Sequence, residues 1–159
     1  MEHCQRPTYK TDFDEKVVRT LKDLFLAKGY PEDSLRSFVP FAFIYNEKTF
    51  ELILPLIVEL NCKCVMICYF KPSLSGLLSF EREALALARI FSSPPPRYAL
   101  LTNLKSFVFI DVKSGKGNVG GAENIPDYQP DLLERLDYVN FILNLDVEKR
   151  LLYLYLSGG

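Results

Sequence analysis

The sequence FELILPLIVELNCKCVMICYFKP, residues 50–72, contains two strongly apolar runs joined by a short polar break at residues 59–63. Each run is rich in the branched apolar residues that favour strands, and the break is short enough for a tight connection. The stretch therefore predicts two adjacent antiparallel strands, at about 50–60 and 64–70, followed by the pair Lys71-Pro72. We expect the rest of the chain to pack around these two strands.

The segments on either side of this pair predict an alternating set of helices and strands. Apolar residues that recur at helical spacing predict helices at 12–29 and 79–91. Apolar runs between turn residues predict further strands at 34–46, interrupted at Pro40, and at 97–102 and 107–112. The predicted order is α-β-β-β-α-β-β-α. This order indicates an α/β fold with a mixed sheet of about five strands flanked by helices.

Three segments fall outside these core elements. Residues 1–11 predict a polar, irregular arm, and residues 113–124, which hold four of the eight glycines, predict a flexible loop. Apolar spacing predicts a C-terminal helical segment at 131–156. We find no repeat and no linker, so the sequence predicts one domain over residues 1–159.

Composition limits the function classes. The chain has 159 residues, 48% of them hydrophobic, and a formal net charge of −1. A global basic field that would attract nucleic acid is therefore absent. The start lacks the apolar core of a signal peptide, and the longest apolar runs reach only about ten residues, half of what a membrane span needs. We therefore predict a cytoplasmic protein with no membrane partner.

The cysteines raise the question of a metal site. Cys62, Cys64 and Cys68 lie on one predicted strand with even spacing, which would place them on one face. A zinc site needs four convergent ligands, and the only histidine is His3 in the N-terminal arm. We therefore expect packed thiols, no metal and no cofactor.

Several segments taken in order resemble a known family. RYALLTNLKSFVFIDVKSGK, residues 97–116, resembles a strand-turn-strand of the N-terminal nuclease domain of type I restriction enzyme R subunits. LAKGYPEDSL, residues 26–35, resembles the end of that domain's first helix. The strand that ends in Lys71-Pro72 and the Glu/Ala-rich helix after it fall in the same order. The resemblance covers roughly residues 12–116, and it implies a restriction-endonuclease-like fold of the PD-(D/E)xK superfamily.

The resemblance also implies where a catalytic site would lie. These nucleases bind Mg²⁺ with an acid on one strand and an E-x-K pair on the next, and the lysine helps to activate water. In this sequence Pro55 takes the position of the first acid, Cys68 that of the glutamate and Phe70 that of the lysine. None of them offers the oxygen ligand that Mg²⁺ requires. The resemblance therefore implies a catalytically inactive domain, retained to bind DNA or protein subunits of a larger complex.

Two other hypotheses stay open. A rearranged site of Glu51, Glu83 and Lys71 would make an active Mg²⁺-dependent endonuclease, although alternation places Lys71 on the strand face opposite Cys68. The competing interpretation makes Lys71 a solvated side chain and Glu83 an exposed helix residue. The third hypothesis is a purely structural or protein-interaction domain, which the near-zero net charge favours.

Contacts to DNA would have to come from a local group of basic residues. The candidates are carried on the two predicted helices and are Lys16, Arg19, Lys22 and Arg89. If they converge beside the former cleft, they can hold phosphates in a domain of near-zero charge. The glycine-rich KSGKGNVGG, residues 113–121, lacks the phosphate-loop pattern and predicts a surface turn.

Overall fold

A computed structural model describes residues 13–73, 76–135 and 144–157. Within them, six strands form one mixed sheet whose spatial order follows the sequence. The strands are β1 (Leu35–Tyr45), β2 (Lys48–Leu60), β3 (Lys63–Phe70), β4 (Tyr98–Thr102), β5 (Phe107–Asp111) and β6 (Gly117–Gly120). The α-helices are α1 (Glu15–Ala27), α2 (Glu81–Phe91) and α3 (Leu145–Leu156). The chain is thus α/β, as predicted, with one strand more than expected.

The strands pair as a meander with one crossover. Neighbouring strands run antiparallel except β3 and β4, which are parallel and are joined through α2. A parallel pair needs such a crossover because the chain must return to the same end of the sheet. The carboxyl ends of β3 and β4 therefore lie side by side, with Phe70 opposite Thr102.

The helix α1 covers one face of the sheet. It begins where the Asp14 carboxylate accepts hydrogen bonds from the backbone N–H groups of Lys16 and Val17. Gly29, with a φ of +93°, ends it in the left-handed conformation that glycine adopts at helix ends. The buried side of α1 packs on the centre of the sheet, in a core that includes Leu21, Phe25, Leu56, Val58, Met66, Cys68 and Leu100.

The helices α2 and α3 cover the opposite face. Their core contains Ile67, Tyr69, Leu85, Leu87, Leu101, Val108 and Leu152. The two helices also contact each other through an ionic group. Glu148 on α3 lies 2.8 Å from Arg82 Nη1 and 3.1 Å from Arg89 Nη1, both on α2. The sheet is therefore sandwiched between helices, with two separate cores.

At one point in the hairpin of β1 and β2, the alternation of side chains between the two faces of the sheet is reversed. Phe38 has a φ of +52°, and the ladder omits the pair that it would make with Pro55. Leu35 before this point packs with α1, whereas Val39 after it packs in the opposite core. The predicted interruption at Pro40 is wrong, because Pro40 pairs with Ile53 inside a continuous strand. Pro40 is tolerated there because β1 is an edge strand.

The glycine-rich segment 113–124 is more regular than the predicted loop. The Asp111 carboxylate accepts hydrogen bonds from the backbone N–H groups of Lys113 and Ser114, which turns the chain back. Residues 117–120 then pair with β5 and form the sixth strand. The Asn124 side chain fastens the following turn by donating to the carbonyls of Phe107 and Asn118. The segment is therefore not a loop throughout, as the prediction had it, because residues 117–120 form a strand.

The C-terminal segment is divided into separate elements. A 3-10 turn spans Pro130–Arg135, and α3 begins afresh at Leu145, where the Asn144 side chain accepts from the backbone N–H of Val147. Residues 136–143 and the predicted arm at 1–11 lie outside the described residues. In the part that is described, no helix is long and apolar enough to cross a membrane.

Candidate functional site

The positions that the resemblance assigns to catalysis are neighbours on β2 and β3. Leu56 pairs directly with Cys68, and Pro55 precedes Leu56 in β2. Cys68 is fully buried and packs with Met66 in the core beneath α1. Phe70 lies two residues further along β3. The three positions are therefore adjacent in the sheet, and none of their side chains can ligate Mg²⁺ through oxygen.

A cluster of aromatic rings lies at this end of the sheet, on the face that α1 covers. The ring of Phe13, which precedes α1, lies 5.8 Å from that of Phe38 and 6.5 Å from that of Phe70. Such spacings are those of favourable aromatic pairs. Phe13 is itself buried. Phe70, which the resemblance aligns with a catalytic lysine, therefore belongs to an apolar cluster.

The thiols of β3 are held in their protonated form. Burial raises the pKa of the Cys68 thiol well above its ordinary value. Burial, followed by the charge of Glu59, raises the pKa of Cys64 to about 12. In the absence of a metal ion, both thiols therefore carry their proton at neutral pH. Within the residues that the structure describes, no group of three or more His, Cys, Asp or Glu could hold a metal ion.

The three cysteines of this hairpin do not share one face, contrary to the prediction. The register shifts between Val58 and Glu59, so one residue of β3 is left over. Cys64 consequently packs against the core beneath α2, whereas Cys68 lies beneath α1. Cys62 is exposed in the β2–β3 turn. A bulge of this kind reverses the alternation that the prediction relied on.

The other face of β3 carries a buried polar cluster of Tyr69, Lys71 and Glu83. Lys71 Nζ lies 2.8 Å from Glu83 Oε2, and the Tyr69 hydroxyl donates a hydrogen bond to the same oxygen. The side chain of Glu83 is only 2% exposed and that of Lys71 16%. The expectation of an exposed Glu83 and a solvated Lys71 is therefore wrong. The charges are tolerated in the interior because they are paired and hydrogen-bonded.

The ends of two parallel strands position this cluster. Lys71 follows β3, and its backbone N–H donates to the carbonyl of Thr102 at the end of β4. Glu83 lies in the first turn of α2. The Lys71 ammonium also lies 5.1 Å from the ring centre of Tyr69 and 5.0 Å from that of Phe80, within cation–π range. The cluster thereby ties the β3–α2 connection to the sheet.

The structure brings together only two of the three residues of the hypothetical rearranged site. Glu51 is exposed and lies between Phe50 and Leu52, both of which pack in the core beneath α2. Alternation along β2 therefore directs the Glu51 side chain to the opposite face of the sheet from Glu83. A single carboxylate beside a lysine does not provide the paired acids on which this chemistry depends.

The four candidate DNA contacts do not converge. Arg89 is part of the interior: it donates to the carbonyls of Val112 at 3.0 Å and Lys113 at 3.2 Å, besides its ion pair with Glu148. It lies on α2, across the sheet from the other three. Those three are on α1, where Lys16 and Arg19 are exposed and Lys22 lies 3.5 Å from Glu32. Arg89 therefore does not lie on one surface with the other three.

Sequence reasoning missed Tyr69 as a member of the polar cluster. A signal was present, because Tyr69 and Lys71 are spaced by two and share a strand face. The pairing with Glu83 could not be read in the same way, since it depends on how α2 docks.

Comparisons with family models, curated proteins and solved structures gave no match for this chain.

Proposed function

We propose that this chain is a non-catalytic domain of the restriction-endonuclease-like fold that works by binding a partner. The fold assignment is supported by the order of the described elements. Helix, three antiparallel strands, crossover helix and a parallel strand follow one another as the resemblance implies.

One observation supports the proposed absence of catalysis. The residues that the resemblance aligns with the two acids and the lysine are Pro55, Cys68 and Phe70, and these residues lie side by side in an apolar part of the sheet. A divalent cation placed there would exchange water ligands for carbon and a protonated thiol. That exchange is strongly unfavourable, because Mg²⁺ requires oxygen ligands and gives up water reluctantly.

A cleavage assay tests this proposal. The purified chain is incubated with supercoiled and linear DNA in Mg²⁺ or Mn²⁺, next to Glu83→Gln and Glu51→Gln variants. We expect no cleavage above background from any of the three. Cleavage by the natural chain that Glu83→Gln abolishes and Glu51→Gln leaves intact would contradict the proposal. It would establish a working site at the Lys71–Glu83 pair.

For the partner, the charge distribution favours a protein over DNA. The exposed residues of α1 and its N-cap include Asp14, Glu15 and Asp23 beside Lys16 and Arg19. A surface with both signs interspersed gives little of the phosphate attraction that dominates nucleic-acid affinity. Arg89 cannot add to it, because its guanidinium is committed to the interior.

DNA is the second candidate, favoured by the exposure of Lys16 and Arg19 on one helix. Titration of a labelled duplex at low and moderate salt separates the two, with Lys16→Ala/Arg19→Ala as the test variant and Lys105→Ala, in the exposed β4–β5 turn, as its control. We expect no binding at low salt, where electrostatic attraction is strongest. Binding that falls steeply with salt and is lost in the double variant alone would establish DNA as the partner.

A further inference from the structure

The two edges of the sheet differ in length and in composition. Among the described residues, the sheet ends at β1 on one side and at β6 on the other. β6 has only four residues, two of them glycine, and a short edge strand offers little to pair with. β1 has eleven residues, and residues 37–46 contain no charge. The β1 edge therefore lacks the charged side chains that usually discourage pairing with another strand.

The turn between β1 and β2 determines which backbone groups of β1 point outward. Both residues of the turn, 46–47, have a positive φ, +58° and +66°, and Tyr45 pairs with Lys48 across them. This is the geometry of a two-residue type I′ turn, whose flanking pair exchanges both of its hydrogen bonds. Alternation along the strand then directs the backbone N–H and C=O groups of Ala42 and Ile44 away from β2.

Pro40 agrees with this assignment. A proline has no N–H, so within a strand it fits where its nitrogen faces away from the neighbouring strand. Pro40 precedes Ala42 by two residues and shares its outward direction. Ala42 and Ile44 are exposed, and within the described part of the chain no strand lies beyond them. The outward groups of these two residues therefore form a short, open hydrogen-bonding edge.

We propose that the β1 edge pairs with the β1 edge of a second copy of this chain, antiparallel about a two-fold axis. The register places Ala42 opposite Ile44 of the second copy, and Ile44 opposite its Ala42. Each of these pairs exchanges both of its backbone hydrogen bonds, so every outward group of the two residues is used. The contact is closed, because the same patch of both copies meets itself, and it yields a dimer and no fibre.

The side chains of β1 fit the same register. The two-fold axis keeps the faces of the two sheets aligned, so Phe43 lies opposite Phe43 of the second copy and Phe41 lies opposite Tyr45. Phe41 and Phe43 already stack within one chain, with ring centres 6.3 Å apart. Cross-strand aromatic pairs extend this row favourably. On the other face, Ile44, which is 62% exposed, is covered by Ala42 of the second copy.

Charge favours a second copy as the partner. In this register Glu47 lies opposite the apolar Val39, and Arg36 lies past the end of the paired segment, so neither meets a like charge. Like charges directly opposite each other would oppose strand pairing. The pairing is independent of the proposed function, because it uses only the backbone and side chains of one strand.

Analytical ultracentrifugation of the full chain tests the pairing. We expect the average mass of the natural chain to rise with concentration towards that of two chains. Ala42→Pro removes an outward N–H from each copy, and Ile44→Lys adds a charge to the edge, so each should weaken association about tenfold or more. Val119→Lys is the matched control, because Val119 is 54% exposed on β6 at the other edge.

The outcomes separate edge pairing from other contacts. A natural chain that keeps the mass of one chain up to submillimolar concentration would overturn the proposal. A dimer that both Ala42→Pro and Ile44→Lys leave intact would also overturn it, because such a dimer forms elsewhere. Circular dichroism at low concentration checks that the variants fold, and Ile44→Lys keeps the test decisive if the proline does not, since the Ile44 side chain is exposed.

Disulfide cross-linking tests the register. In a Cys4→Ser/Cys62→Ser background, Ala42→Cys and Ile44→Cys chains are oxidised separately and as a mixture. Residues of a hydrogen-bonded antiparallel pair have Cα atoms about 5.5 Å apart, which suits a disulfide. We expect disulfide-linked dimers from the mixture and none from either variant alone. No linked dimer in the mixture, or equal amounts from one variant alone, would contradict the proposed pairing.

Discussion

The two faces of β3 differ in chemistry although they alternate residue by residue. Met66, Cys68 and Phe70 lie on the side of α1 in apolar surroundings. Tyr69 and Lys71, one residue away, lie on the side of α2 around the buried carboxylate of Glu83. The resemblance places metal chemistry on the first face, yet the buried Lys71–Glu83 ion pair lies on the second. A charged pair in the interior therefore need not be a remnant of catalysis, because here it also fastens a crossover.

The largest expected effect comes from placing a carboxylate at Cys68, the position that the resemblance aligns with a catalytic glutamate. Cys68→Glu would bury a carboxylate among Leu56, Val58 and Met66 with no cation beside it. We expect a loss of about 4–5 kcal/mol or more in the free energy of unfolding, or failure to fold. Urea denaturation followed by circular dichroism measures it. A variant that stays as stable as the natural chain and binds Mn²⁺ would break the distinction between the two faces.

On the polar face, we expect removal of the carboxylate to lower the free energy of unfolding almost as strongly. Glu83→Ala leaves the Lys71 ammonium without its partner at a site where that side chain is 16% exposed. Breaking such a pair costs about 3–5 kcal/mol when fully buried, so we expect about 3 kcal/mol here. Glu83→Gln keeps an acceptor for Tyr69 and should cost less.

The matched control on the same sheet is Glu51→Ala. Because Glu51 is exposed, we expect its removal to change the free energy of unfolding by less than about 0.5 kcal/mol. Equal effects of Glu83→Ala and Glu51→Ala in urea titrations would show that the Lys71–Glu83 pair contributes nothing beyond a surface charge.

We expect raising the pH to have a smaller effect on the free energy of unfolding. This effect tests whether Cys68, on the apolar face, is protonated. The pKa of the Cys68 thiol is raised by burial, so the folded chain keeps this proton at a pH where the unfolded chain has released it. Stability from this group is therefore complete below the unfolded pKa of about 9 and is lost as pH rises above it. Between pH 8 and pH 10 the loss should be about 1 kcal/mol smaller in Cys68→Ala than in the natural chain. Parallel losses in urea titrations of both proteins would contradict a protonated Cys68.

The sequence predicted those elements whose signal is local. The alternation in β2 and β3 and the helical spacing in α1 and α2 are strong, because each element buries a large apolar surface. β6 was missed because residues 117–120 contain two glycines and one apolar side chain, so the strand exists only through its pairing with β5. The Asp111 turn that directs it there was not recognised.

The candidate site shows a similar division. That Pro55, Cys68 and Phe70 cannot ligate Mg²⁺ follows from residue type alone. The burial of Glu83 and Arg89 could not be predicted from residue type, because a buried charge depends on partners contributed by other elements. Lys71 comes from the end of β3, and Glu148 comes from α3, 59 residues beyond Arg89. From their spacing in the sequence alone, such residues are predicted to lie on the solvated side of a helix.

The most direct test of the central claim is a Mn²⁺ titration observed by NMR. The claim is that neither face of β3 binds a catalytic divalent cation. Mn²⁺ broadens the amide signals nearest to where it binds, so its location can be mapped at submillimolar concentration. We predict no selective broadening of residues 66–71 or of Glu83 relative to the buried strand β5. Broadening centred on Cys68 and Phe70, or on Glu83, would contradict the account and would identify the face on which a metal site survives.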